Sequence, residues 1–152
     1  MKLKLKMNNF WGRFFLSAAI CTIIAQMLHT IGAMLTMKYY QMPEYLSVWS
    51  KVMMPTAGPP PLSFTLYSLL FGLLGAIIFV YVYKMIKGSI SGKSVAATGL
   101  RYGFIIFCIA AVPMSFTLYL LINLPSSLVT YWAFESLVIY CINGMIVAKL
   151  MK

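Results

Sequence analysis

"FFLSAAICTIIAQMLHTIGAMLTM", residues 14–37, decides the fold of this chain. It is an apolar run of about 24 residues, and a helix needs roughly 20 to cross a hydrocarbon core. Lipid offers no water to backbone N–H and C=O groups, so such a span must satisfy them internally and is predicted to be helical. Two residues near its middle, Gln26 and His29, do not suit lipid.

Working outward, three more runs reach spanning length, at about 62–86, 100–122 and 128–149. Composition agrees: of 152 residues, 62% are hydrophobic and only 9% charged, where a soluble domain carries about 25% charged residues. The expected fold is all-α, an integral membrane four-helix bundle forming one transmembrane domain over residues 1–152. The basic start followed by an apolar core resembles a secretory signal. The run that follows is a full span, so it reads as an anchor and not as a cleaved leader.

Twelve Lys and Arg stand against two acids, a formal net charge of +10. Lys2, Lys4, Lys6, Arg13, Lys84, Lys87, Lys93, Arg101, Lys149 and Lys152 all fall on one side of the four runs. Only Lys38 and Lys51 fall on the other. The positive-inside rule then puts both termini in the cytoplasm and the chain in the inner membrane as a multi-pass protein. Cations arranged this way face anionic lipid headgroups. The Arg-rich, aromatic-interleaved polar surface of a nucleic-acid binder is absent, so nucleic acid is not an expected partner.

The outer loop, 38–61, carries Tyr39, Tyr40, Tyr45 and Trp49, which read as anchors at headgroup depth. Within it "EYLSVWSKVM" suits a short interfacial helix that Pro55 would end, and "GPPP" forces an extended entry into the second span. The cytoplasmic loop, 87–99, is small, basic and without chemistry. Gly72, Gly75 and Ala76 offer a small-residue face for close helix packing. Pro113 is expected to kink the third span by removing a backbone hydrogen bond. "PLSFTLY" at 61–67 recurs as "PMSFTLY" at 113–119, but the two copies occupy different registers of their spans and their flanks do not align. Chance reuse of membrane vocabulary explains it better than duplication.

Ionisable residues inside a span are costly and point to function. Away from the span ends there are two, His29 and Glu135. At ~1.5 Å per residue each lies about 5 Å to the outer side of its span's midpoint, so they can meet if spans one and four are neighbours. Each would then support the other's charged form. Thr22, Gln26, His29 and Ala33 fall on one helical stripe, which should face the interior or a partner. Tyr131, Trp132 and Glu135 share a face of span four, and Asn143 lies deeper, about 80° round from Glu135. Polar residues of this kind most often simply hold helices together, at roughly 0.6 kcal/mol each.

Cys21, Cys108 and Cys141 sit singly in apolar runs, so no disulfide framework is expected. No metal or cofactor is expected either. One His precludes a bis-His haem within the chain, and no motif supports His–Met ligation. Met27, Met34, Met37, Met42, Met53 and Met54 gather toward the outer side, where thioethers suit Cu(I). That makes copper handling a remote alternative, since Met is also ordinary apolar filler. The sequence has no Asp, one His, and no HExxH, GxSxG or phosphate loop, so it does not read as an enzyme.

"GLRYG", residues 99–103, follows a basic loop and leads into the apolar run broken by Pro113. In this it resembles small, uncharacterised four-helix bacterial membrane proteins, and the resemblance implies topology alone. The functional expectation is a non-enzymatic accessory or scaffolding subunit, working with a larger membrane protein or as a homo-oligomer. The alternative is a small proton-coupled transporter that uses His29 and Glu135. The two differ in whether the Gln26–His29 stripe lines a cavity or a dry contact.

Overall fold

The computed structural model describes residues 9–56, 58–90 and 92–152; Lys2, Lys4 and Lys6 lie outside them. The described residues are helical, without strands. Four helices are long and apolar enough to cross a membrane: α1 (Phe10–Leu35), α2 (Leu62–Ile86), α3 (Val95–Leu121) and α4 (Ser126–Leu150). α1 and α3 begin before their apolar windows because polar caps set the starts. The Asn9 carboxamide accepts from the Trp11 N–H and the Ser94 hydroxyl from the Ala97 N–H, each taking up a donor that the first turn leaves free.

The helices stand in the order α2, α1, α4, α3, with close packing between successive members of that row. α3 and α4 make the tightest joint, and the reason is glycine. A Cβ at Gly99, Gly103 or Gly144 would run into the backbone of the facing helix, so these positions let the two backbones touch. Gly72 and Gly75, expected in that role, do not fill it. A Cβ at Gly72 would meet only the Thr22 methyl at 3.5 Å, and at Gly75 nothing within 4 Å. Ala76 is buried in the core, as a packing residue should be.

The main core occupies the half of the bundle nearest the termini. Phe14, Ala18 and Cys21 of α1 meet Phe79, Val80 and Tyr83 of α2, Tyr102 of α3 and Val147 of α4. Tyr102 is fully buried, and its hydroxyl donates to the Phe79 carbonyl, tying α3 to α2. At the same end, the Arg13 guanidinium donates to the carbonyls of Leu150 (2.6 Å) and Lys152 (2.8 Å), and the Lys87 ammonium to that of Met151 (2.9 Å). These cations cap the negative end of α4.

Pro113 acts through a π turn. Phe107–Ala111 is wound one residue wider than α-helix, the Val112 N–H donates to the Phe107 carbonyl, and Pro113 follows at the start of the next α segment. The extra residue absorbs the break that a ring without an N–H makes in the ladder. The outer loop departs from the expected single helix. A helical turn at Met37–Tyr40 and a 3-10 helix at Pro43–Val48 replace it. Trp49 is already extended, so the helix ends well before Pro55.

Candidate functional site

In the outer half the bundle opens into a cleft of about 700 Å³. Its floor is α1 and α4, its far wall is the start of α2, and the outer loop closes the end. Thr22, Gln26, His29 and Ala33, predicted to share one stripe, all line it, with Trp132 and Glu135 of α4 opposite. A second pocket of about 360 Å³ continues toward the core, shares Ala25, His29, Gly72 and Ser136 with the cleft, and ends at Tyr102 and Asn143. His29 thus stands where the two spaces meet.

The packing of α1 on α4 brings His29 and Glu135 together, with Nδ1 3.0 Å from Oε1. The two are unequally enclosed: the His29 side chain is 57% exposed, the Glu135 side chain 11%. Gly32, one turn after His29, explains the difference. A Cβ there would lie 2.6 to 2.7 Å from the carboxyl atoms of Glu135. Only glycine leaves room for the carboxylate against the α1 backbone. The sequence reading did not single out Gly32, although its place three residues beyond His29 on the same face was a usable signal.

The threonine hydroxyls are occupied within their own helix. Thr22 donates to the Ala18 carbonyl (2.9 Å), Thr30 to Gln26 (2.8 Å) and Thr36 to Gly32 (2.8 Å). Thr22 is therefore a buried wall residue and not a binding group. Asn143 joins helices, its amide donating to the Cys21 carbonyl at 3.4 Å while its Oδ1 is buried without a partner. Gln26 and the His29–Glu135 pair line the cleft together with the hydroxyls of Thr65, Ser68 and Ser136.

At the outer end the expected anchors form a plug. Tyr40 is 9% exposed and its ring lies 4.9 Å from that of Trp49 and 6.4 Å from that of Trp132. The Trp132 indole donates to the Tyr40 hydroxyl at 3.1 Å. Tyr40 and Trp49 are thus packing residues that seal the cleft, because α4 offers Trp132 as a partner. The Trp49 indole N–H is buried and unpaired. Tyr39 and Tyr45 are half-buried, and Tyr39 accepts from the Ser127 hydroxyl at 2.9 Å. Burial pushes the Tyr40 phenol above its ordinary range; bonds from Trp132 and Thr36 oppose this, and the Glu135 carboxylate adds to it.

Among the described residues no group of three or more His, Cys, Asp or Glu could hold a metal ion. Of the outer methionines, Met34, Met37 and Met53 line the cleft, while Met27 points outward. The three cysteines are free; Cys21 is buried and Cys108 exposed. Comparison with protein-family models, curated proteins and solved structures finds no match to this chain.

Proposed function

We propose that this chain is a non-enzymatic, multi-pass protein of the cytoplasmic membrane, both termini cytoplasmic, that binds a small guest in its outer cleft and carries it in exchange with protons. One observation carries the reading: the Gln26–His29 stripe lines a cleft of about 700 Å³ instead of a dry helix contact. That volume falls within the ~300–1,000 Å³ of small-molecule sites. An ionisable pair opening into such a space is the arrangement a proton-linked carrier needs. The orientation rests on Arg13, Lys84, Lys87, Lys93, Arg101, Lys149 and Lys152 gathering at one end, against anionic headgroups.

The test is flux in liposomes that hold only this protein. Transport should depend on pH and vanish in Glu135→Gln; pH-dependent transport that survives this change overturns the reading. Orientation is checked by labelling Lys93→Cys and Glu44→Cys from outside the cell with an impermeant maleimide. Only Glu44→Cys should react.

A second reading, an accessory subunit or homo-oligomer, draws on a different observation. Only 17% and 6% of the most apolar windows of α2 and α3 are buried, against 28% for α1 and for α4. These flanks suit a larger membrane partner or a second copy as well as lipid. Mass determination after gentle extraction separates the two, because a companion at fixed ratio would make the chain a subunit.

A further inference from the structure

The charge lining the cleft differs from that of the chain as a whole. Twelve Lys and Arg give the chain its excess of positive charge, yet among the described residues none lines the cleft. Lys38 lies over the Tyr39 ring and Lys51 is exposed on the loop. Tyrosine aside, the only ionisable side chains lining the cleft are Glu135 and His29. With Glu135 ionised, the cleft is neutral when His29 holds its proton and carries one negative charge when it does not.

The surroundings of Glu135 do not change that sign. α1 contributes His29, the outer loop contributes Tyr40, and α4 itself adds Tyr131 nearby. α2 lines the cleft with Phe64, Thr65, Ser68 and Gly72, none of which titrates, and α3 contributes nothing to the outer cleft. Gln26 and the Trp49 indole could hydrogen-bond an acceptor, but neither brings a charge that would hold an anion. The walls favour a cation. Trp132, Trp49 and Tyr40 stand within 4.9 to 6.4 Å of one another, and aromatic faces attract cations, most strongly where water is excluded. Met34, Met37 and Met53 add soft, adaptable surface of the kind found where a site accepts several shapes.

We propose that the cleft binds hydrophobic organic monocations, with the charge held beside the Glu135–His29 pair and the apolar groups among Trp132, Trp49 and Tyr40. The inference rests on the carrier reading and names its substrate class. Because guest and proton compete at the same pair, binding of a cation releases the proton from His29 or Glu135 to water.

The test uses the full chain in a non-ionic detergent, with Trp11→Phe so that emission reports Trp49 and Trp132. Tetraphenylphosphonium is titrated beside tetraphenylborate, which has nearly the same shape and opposite charge, and beside neutral triphenylphosphine oxide. The expected result is saturable quenching by the phosphonium, at an affinity at least about tenfold above the other two and weaker at lower pH, tenfold being ~1.4 kcal/mol. Glu135→Asp should keep the preference and Glu135→Gln should lose it. The three-ligand comparison on the unaltered Glu135 background needs neither variant to fold. Equal binding of all three ligands overturns the cation assignment and leaves the guest site standing. Saturable binding of none overturns the assignment and the carrier reading together.

Discussion

Gly32→Ala tests the site at its tightest point. The added methyl would stand 2.6 to 2.7 Å from the Glu135 carboxyl atoms, about 1 Å inside ordinary contact distance. The backbone of α1 cannot retreat, so the Glu135 side chain must move, and its 3.0 Å contact with His29 moves with it. Overpacking of this size costs about 1–3 kcal/mol. Against it stands the gain of about 1 kcal/mol from replacing a mid-helix glycine by alanine. The net change in the native protein should therefore be small, between neutral and about 2 kcal/mol destabilising, and alone it proves little. The informative comparison is the same substitution in Glu135→Ala, where the colliding atoms are gone. There Gly32→Ala should stabilise by its full helical gain of about 1 kcal/mol. The difference between the two backgrounds, about 1–3 kcal/mol, is the coupling between Gly32 and Glu135. Reversible unfolding of the four proteins in mixed micelles measures it. Equal effects of Gly32→Ala in both backgrounds would refute the placement of the carboxylate against α1.

The joint between α3 and α4 should be intolerant of any side chain: Gly103→Ala and Gly144→Ala should each cost about 1–3 kcal/mol, since backbone and not a flexible side chain opposes the methyl; thermal melts in detergent check this. Tyr102→Phe should lose about 0.5–1.5 kcal/mol by leaving the Phe79 carbonyl without its donor, read by the same melts. Tyr40 should give the protein an alkaline weakness. Its phenol is raised above 10.0, so its neutral form contributes stability fully below the ordinary value. That contribution is lost as pH rises through the shifted one, because the unfolded chain gives up the proton first. Melting temperature should fall as pH rises above the ordinary phenol value of about 10, and Tyr40→Phe should flatten that fall.

What could be read from the sequence was set by quantities internal to one helix. Length and apolarity give the four helices, and 1.5 Å per residue gives His29 and Glu135 equal depth. Neighbour relations were harder, because the loops permit more than one order of four helices. The contact between His29 and Glu135 therefore needed the α1–α4 pairing that the fold supplies. The small-residue face was sought at the centre of α2, where Gly75 proves to line a pocket. The better signal was already within "GLRYG", whose glycines are four apart and so share one helix face. Tyr40 and Trp49 read as lipid anchors because aromatic residues near span ends usually are. Their actual partner, Trp132, lies 92 residues from Tyr40 in sequence, beyond the reach of any local pattern.

The two ends of the bundle are packed differently, and the glycines mark the difference. Gly99, Gly103 and Gly144 clamp α3 onto α4 in the half that also holds Tyr102 and the cationic caps on α4. There α3 meets α4 by backbone contact, which has no rotamers to change. The outer half is held by side chains instead: the aromatic plug, the His29–Glu135 pair and the slot at Gly32. Between them α3 carries its π turn, at Phe107–Ala111, where one turn is wound wide and the ladder is already broken by Pro113. A helix bends most readily at such a point. Ala110, within that turn, lines the inner pocket, so a bend there would alter the pocket wall. His29 stands at the junction of the two spaces, with Glu135 beside it on the outer side.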